Sequence, residues 1–340
     1  MKFRVIVAGI LAAAIAAPAQ AQTSACASGA SQDVCQKAVD LLNFMTPQLS
    51  TALVGGNPTL GQGGVLGGLG HFSIDIRASG SLSFELPKLS NVGLSLAGAQ
   101  HSTFTSDKKP FGVPSVDAGI GLWRGFSLGV THVGGVDAIV TLTYLPNIGG
   151  DQTTCASPSG GSCDKTNFTV NGSNEKFGYG FRLGLLEESV ITPGVSFVWV
   201  QRDLPVLSGS VKVDASGVNP GGSIALNDFT VNTSAWRITA AKSFLIFGIS
   251  AGAGQDKYTA SSTLVASATG GPTATQPINF SMTRMNYFVG AYMNLFVFKL
   301  EAEYGQVTGG TVPAAFNTFG SDAASSRSYL TAGLRFGWGR

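Results

Sequence analysis

The chain has 340 residues, of which 44% are hydrophobic, 12% are charged and 46 are glycine. Soluble domains average about 25% charged residues, so this composition argues against a secreted soluble protein. Residues 22–340 carry 19 basic and 19 acidic side chains, and this balance gives no indication of a nucleic-acid partner.

The first 21 residues have the pattern of a secretory signal peptide. A basic start with Lys2 and Arg4 precedes an apolar run over residues 5–17 and a small-residue site ending at Ala21. The run is shorter than the roughly 20 apolar residues that a transmembrane helix needs. We therefore predict cleavage after Ala21 and export of the remaining chain.

The four cysteines fall into two local pairs, Cys26 with Cys35 and Cys155 with Cys163. An even count in an exported chain favours two disulfides, each closing a short loop, although the sequence leaves other pairings open. The three histidines are scattered along the chain, so no metal site is predicted, and no cofactor is predicted either.

Residues 22–70 are predicted to form a helix and a glycine-rich plug or tether in front of the first strand. Ser31 can cap a helix whose first turn contains Asp33, and Pro47 is expected to end or kink it. Residues 55–70 read GGNPTLGQGGVLGGLG, which cannot hold regular structure alone. The apolar stripe of the helix consists of Val34, Ala38, Leu41 and Met45.

Residues 71–86, HFSIDIRASGSLSFEL, alternate between apolar and polar side chains. This period of two predicts a strand with one apolar face, from Phe72 through Phe84 to Leu86, and one polar face. Strands of soluble sheets usually have about 5–6 residues, whereas a tilted membrane-barrel strand needs about 9–11 to cross lipid. The segment therefore favours a strand that spans a membrane.

Short and long connectors alternate between the candidate strands, as in outer-membrane barrels. We predict an all-β, transmembrane, antiparallel up-and-down β-barrel of about ten strands over residues 71–340. Residues 92–97, 126–130 and 206–213 could each add a strand, so 12 or 14 strands stay open. The candidate strands cover residues 71–86, 115–122, 135–145, 176–185, 190–202, 229–241, 245–258, 280–293, 297–306 and 327–338.

Aromatic residues cluster at both ends of these strands, which predicts two interfacial belts. The set at the long connectors comprises Tyr144, Phe177, Trp199, Tyr258, Phe280, Tyr304 and Tyr329. The set at the short turns comprises Trp123, Phe126, Phe247, Phe296, Phe298, Phe336 and Trp338.

The last strand resembles the C-terminal assembly signal of Gram-negative outer-membrane proteins. The resemblance rests on a polar residue, Thr331, then Gly333, then the spaced aromatics Phe336 and Trp338, although two further residues follow. It implies a location in the cell outer membrane, with outer-membrane lipid and the barrel-assembly machinery as partners.

The polar faces of the predicted strands supply charges to the barrel interior. Neighbouring strands would bring Arg335 close to Asp75 or Glu85, and to Glu301 or Glu303. The sequence leaves open whether these charges select solutes in a channel or form ion pairs that fill a narrow barrel. The predicted lumen-lining residues are Asp75, Arg77, Glu85, Asp117, Asp137, Arg182, Arg202, Arg284, Lys299, Glu301, Glu303 and Arg335.

One predicted strand does not alternate cleanly. Phe229 and Val231 share one parity, whereas Trp236 and Ile238 share the other. A bulge within residues 233–235 would return all four side chains to the lipid-facing side.

Residues 22–70 resemble the N-terminal region of FadL-type long-chain fatty-acid channels. The stretch Asn57-Pro58-Thr59-Leu60-Gly61 is similar to an Asn-Pro-containing stretch of that family. The resemblance implies an N-terminal hatch that enters the barrel and hydrophobic compounds that move through it. It covers only residues 22–70, and no substrate-site residue carries over.

The predicted function is that of a passive channel for small or hydrophobic solutes with the N-terminal segment as plug. The alternative is a closed structural or surface-recognition barrel that acts through its extracellular loops. No enzymatic activity is predicted, because His71 and Ser73 share a strand face but no third group orients them.

Overall fold

The computed structural model describes residues 26–88, 92–145, 165–213 and 221–338. Helix α1 spans Gln32–Val54, and all strand pairs between named strands are antiparallel. The strands are β1 (Phe72–Pro87), β2 (Ser106–Trp123), β3 (Phe126–Leu128), β4 (Thr131–Val133), β5 (Gly135–Tyr144), β6 (Lys165–Val170), β7 (Glu175–Leu186), β8 (Gly194–Asp203), β9 (Leu207–Val213), β10 (Gly222–Phe244), β11 (Phe247–Ala268), β12 (Thr273–Leu295), β13 (Phe298–Thr308) and β14 (Arg327–Trp338).

Ten strands close into a barrel, in the order β1-β2-β5-β7-β8-β10-β11-β12-β13-β14. The last strand pairs with the first, with Phe72 opposite Trp338 and Ser81 opposite Tyr329. Closure gives every barrel strand a partner on both sides, as a wall in lipid requires. The predicted all-β transmembrane barrel of about ten strands is confirmed.

The three additional candidate segments do not join this ring. Residues 126–130 lie in the small hairpin of β3 with β4, and residues 206–213 contain β9, which pairs with β10 and β6. Residues 92–97 form no strand. We call the two ends of the barrel the short-turn end, where β1 begins, and the long-loop end, where β1 finishes.

The strict alternation predicted for β1 ends before its last residues. A register shift against β2 lies between Ser81 and Phe84, and beyond it both Phe84 and Glu85 are buried. The prediction that Phe84 faces lipid is therefore wrong. The bulge turns this ring inward, where it packs against the tilted ring of Phe111 at a centroid distance of 4.8 Å.

The prediction of a bulge within residues 233–235 of β10 is also wrong. The register shift against β11 falls between Asn227 and Thr230, and residues 229–241 alternate without interruption. Phe229 and Val231 therefore point into the barrel, and Val231 is 0% exposed. The mixed parity reflects an apolar interior at the long-loop end, and no bulge at residues 233–235 is needed to explain it.

Helix α1 lies inside the barrel, with its N-terminus at the long-loop end. It is not ended by Pro47, which lies within it, and Ser31 makes no side-chain capping bond. The Thr51 hydroxyl donates to the Pro47 carbonyl at 2.7 Å. No helix among the described residues is long and apolar enough to cross a bilayer.

After α1 the chain continues through the lumen toward the short-turn end. Residues 55–66 are almost all buried, and Gly68 lies against the end of β2 near Gly121 and Arg124. Residues 26–70 thus run from one end of the barrel to the other, and we call them the N-terminal segment.

The cysteine and signal-peptide predictions fall partly on described residues. Cys26 and Cys35 form a disulfide with their Cα atoms 6.0 Å apart. Cys155, Cys163 and the predicted signal peptide at residues 1–21 lie outside the described residues.

The two aromatic sets behave differently. Every aromatic residue of the short-turn set is exposed on the barrel exterior, and so are Tyr144, Phe177 and Tyr304 of the other set. Tyr258, Phe280 and Tyr329 are buried in the lumen, so their assignment to an outer belt is wrong. Tyr258 and Phe280 do not lie at strand ends, because β11 and β12 are longer than predicted and continue past them. Both residues occupy inward-facing positions of these strands.

The inward parity of β10 predicts unequal effects of two adjacent carboxylates. Val231→Asp would place a charge in an apolar interior and cost on the order of 3 kcal/mol or more, whereas Asn232→Asp stays on the exposed face. The samples are heated to increasing temperatures before SDS gel electrophoresis. We expect the folded form of the first variant alone to disappear at a lower temperature than that of the natural protein. Equal behaviour of the two variants would contradict the assigned parity.

Candidate functional site: a plugged lumen with two cavities

Ion pairs join the last strands of the barrel to the first. The Nε atom of Arg335 donates to Asp75 at 2.5 Å, and its Nη1 lies 3.6 Å from Glu301. Glu85 does not meet Arg335 and instead pairs with Arg327 at 3.3 Å. Of the two partners left open by the sequence, the structure therefore brings Asp75 to Arg335.

The remaining predicted lumen residues are inward and mostly paired. Arg77 pairs with Asp117, and Arg182 pairs with Asp137 at 2.8 Å. Glu303 accepts a hydrogen bond from the Tyr329 hydroxyl at 3.0 Å. Arg284 lies nearer the long-loop end, where its Nη2 donates to the carbonyl oxygens of Ala324 and Ser325 at 3.2 and 2.6 Å.

Wall cations also converge on main-chain oxygens of the N-terminal segment, and we call this arrangement the plug seat. The last carbonyl groups of a helix have no partner within it and carry partial negative charge, so cations are favourable there. Five strands each supply one cation. Arg237 donates to the oxygens of Val54, at 2.9 Å, and Gly56; Arg77 to Gly55 at 3.1 Å; Arg202 to Gly56 at 3.5 Å; Arg335 to Leu60 at 2.7 Å; and Lys299 to Gly61 at 3.3 Å.

The segment also meets the carboxylates of the wall through its N–H groups. The amide of Asn57 donates to Glu303 at 3.2 Å, and that of Leu66 donates to Asp137 at 3.0 Å. The side chain of Asn57 donates to the Thr239 hydroxyl at 2.9 Å. The wall charges therefore bind the segment as well as each other.

Glycines let this segment lie directly against the wall. A Cβ atom at Gly56 would lie 2.5 Å from the Thr331 hydroxyl oxygen, and one at Gly61 would lie 2.8 Å from the Tyr292 ring. Gly56 has a φ of +84°, which L side chains rarely adopt. The glycine-rich composition thus serves a close fit inside the barrel.

Inward glycines of the wall make room for large side chains. The space beside Gly184 is taken by Val65 of the N-terminal segment, that beside Gly248 by the Tyr292 ring, and that beside Gly252 by the Phe288 ring. Asn57 at the plug seat is fully buried, and so are Asp137 and Arg182 nearer the short-turn end. In the described part of the chain, the middle of the lumen is filled.

An apolar cavity of about 360 Å³ lies between α1 and the wall at the long-loop end. We call it the outer chamber. Three residues of the apolar stripe of the helix, Ala38, Leu41 and Met45, line this cavity on its inner side. Its lining includes Leu41, Met45 and Leu49 of the helix and Phe84, Phe229 and Leu264 of the wall.

The wall beside the outer chamber is incompletely paired. Residues 106–114 of β2 pair with β1 only, and β6 pairs with β9 only, among the described residues. The chamber lining includes Leu86 and Pro110, which are exposed on the outside of the barrel. Among the described residues, the chamber lining therefore reaches the barrel exterior at this edge of β2.

A second cavity, of about 460 Å³, lies at the short-turn end. We call it the vestibule. Its lining is mixed, with Glu188 and Lys299 beside the backbone of residues 61–66. The plug seat and residues 54–61 lie between this cavity and the outer chamber.

Two carboxylates of α1 hold the loops at the long-loop end. Asp33 accepts from the amides of Ser95 and Gln100, both at 2.8 Å, and Asp40 accepts from the amide and side chain of Asn317, both at 2.8 Å. Burial raises the pKa of Asp40, and the Asn317 bonds oppose this effect. These contacts tie two connecting loops to the helix.

The residues of the C-terminal motif divide between the two faces of β14. Phe336 and Trp338 are exposed on the barrel exterior, while Thr331 and Gly333 face the N-terminal segment at Gly56 and Leu60. Their role as an assembly signal stays a prediction.

Three lumen charges and the outer chamber were not predicted from the sequence. Arg237 shares the inward parity of Thr239, a signal that was present in the pattern. Asp256 lies two residues before the expected end of its strand, which continues to Ala268. Arg327 begins β14 and pairs with Glu85.

These features define a transmembrane barrel whose lumen is filled by its own N-terminal segment. The sequence matches no family model, and no curated protein is significantly similar to it. Solved structures with some similarity include outer-membrane barrels, among them a FadL-type channel.

The similarities to these structures are low. The toluene transporter TodX of Pseudomonas putida is 12% identical, with a TM-score of 0.33, over 92% of this chain and 96% of TodX. The β domain of the Bordetella autotransporter BrkA is 13% identical, with a TM-score of 0.24, over 78% and 98%. OmpT of Vibrio cholerae is 10% identical, with a TM-score of 0.16, over 78% and 97%. The barrel architecture therefore rests on the strand pairing of this chain.

The close fit of the plug seat predicts that Gly56→Val displaces the N-terminal segment. The added side chain would overlap Thr331, and such overpacking costs about 1–3 kcal/mol. Gly70→Val is a matched control, because Gly70 has a φ of +89° but nothing within 4 Å of an added Cβ. We expect protease cleavage within residues 55–66 in the first variant only. Equal resistance of both folded variants would refute the close fit.

Proposed function

We propose that this protein is an outer-membrane channel that binds small apolar compounds in the outer chamber and passes them when the N-terminal segment leaves the plug seat. The observation that carries the proposal is an apolar cavity of about 360 Å³ inside a lumen whose centre is polar. An apolar cavity of about 150 Å³ already suffices to hold benzene. The expected solutes are therefore compounds of one or two rings or short aliphatic chains.

The distribution of apolar and polar side chains in the lumen supports binding in the outer chamber before movement of the N-terminal segment. The outer chamber lies at the end where buried apolar side chains such as Phe229, Val231 and Phe280 point inward. The centre instead offers hydrogen-bonding groups that are already occupied by the N-terminal segment. An apolar compound cannot form the hydrogen bonds that the segment forms with the wall, so it cannot displace the segment by competing for them. Passage therefore requires movement of the segment itself.

Binding at the outer chamber is tested by narrowing it with a larger side chain. Met45→Trp would take up part of the cavity, whereas Ile249→Trp adds the same side chain to the exposed exterior. With a fluorinated benzene as probe and ¹⁹F NMR in lipid nanodiscs, we expect Met45→Trp to weaken binding on the order of tenfold, or about 1.4 kcal/mol. Unchanged binding in the Met45→Trp variant would remove the chamber as the site.

Gating is tested by single-channel conductance in planar bilayers. We expect the natural chain and Gly70→Val to be silent and Gly56→Val to conduct, because only the last loses its close fit at the plug seat. Folding of each variant is verified by its resistance to SDS before heating. Silence of a folded Gly56→Val protein with a protease-sensitive segment would overturn the gating role and favour a closed structural barrel.

A further inference from the structure

The short turns of the barrel end in large apolar side chains. The loop between β10 and β11 has two residues, Leu245 and Ile246, and the loop between β12 and β13 also has two, Phe296 and Val297. Leu245 is 99% exposed and Phe296 is 108% exposed. With their flanking residues these turns read FLIF and LFVF and contain no charged side chain.

The backbone of both turns is unfavourable for these residue types. Leu245 and Phe296 each have a φ of +56°, whereas the following residue in each loop does not have a positive φ. A two-residue hairpin loop with positive φ at its first position prefers glycine there. Bulky residues in this conformation are outliers that persist where something outside the turn compensates.

The same property recurs around the whole short-turn end. Val190 is 94% exposed in the connection between β7 and β8, and Phe126 and Val130 are exposed in the connection between β2 and β5. We call these tips, together with Leu245 and Phe296, the apolar crown. The crown follows the barrel circumference, so a partner must surround the barrel on all sides.

The crown is continuous with the apolar exterior of the barrel. Phe296 at the tip is followed by Phe298 on β13, whose ring lies 5.5 Å from that of Phe336, which lies 6.1 Å from that of Phe72. On β11, Phe247 and Ile249 extend the exposed surface below Leu245. In a transmembrane barrel, lipid already contacts this exterior surface. Lipid also encircles the barrel, as a partner of the whole apolar crown must.

We propose that the apolar crown inserts into the lipid leaflet at the short-turn end, so that these turns lie among lipid acyl chains instead of in water. Burial in lipid would compensate for the unfavourable backbone and for the exposure of large apolar side chains. The turns would then fix the depth of the barrel in the membrane. This proposal does not depend on what the outer chamber binds.

The test uses a fluorophore at each tip of the full chain in lipid vesicles. Leu245→Cys and Phe296→Cys are labelled with an environment-sensitive dye in a chain in which Cys155 and Cys163 are replaced by serine. The lipid reference is Ile249→Cys on the exposed exterior. The water reference is Gly270→Cys at the long-loop end, where nothing lies within 4 Å of an added Cβ.

We expect both tips to behave like the lipid reference, with blue-shifted emission, quenching by spin-labelled lipid and no quenching by iodide. Labels quenched by iodide like the Gly270→Cys reference would overturn the proposal and leave the crown free for a protein partner. Labels shielded from both quenchers would also overturn it, because they would indicate contact with a second copy of the chain.

Discussion

The structure depends on the binding of main-chain oxygens by buried cations at the centre of the barrel. Arg77, Arg202, Arg237, Arg335 and Lys299 each donate to a carbonyl oxygen between Val54 and Gly61. A wall of alternating strands must place polar side chains inside, and such groups are costly when buried without partners. The N-terminal segment supplies these partners, and the wall in turn supplies partners for the free end of α1.

This arrangement divides the lumen by polarity. Below the helix the contacts are hydrogen bonds to backbone, which demand glycine at positions such as Gly56 and Gly61. Along the helix the contacts are apolar, and the incomplete fit between its stripe and the wall leaves the outer chamber. A compound in that chamber meets the apolar side of the helix, whose C-terminus is held by the plug seat.

Much of the barrel could be predicted from the sequence because strand parity and turn length are local properties. The approach of Arg335 to Asp75 or Glu85 followed from adjacency of the last and first strands, since closure makes them neighbours in any such barrel, and the structure selects Asp75. The disulfide of Cys26 with Cys35 was likewise predicted from short spacing in an exported chain.

The sequence by itself determined an antiparallel barrel of about ten strands with charged side chains in its interior, because a lipid-facing wall imposes a period of two on its strands. Only the tertiary structure decided that Phe84, Val231 and Tyr329 point inward. A register shift of one residue reverses the parity at Phe84, whereas Val231 and Tyr329 lie on inward positions of strands whose interior accepts large apolar and aromatic side chains. It also decided that residues 55–66 lie against the wall. Glycine-rich chain carries no periodicity, and its position is set by the cations that surround it.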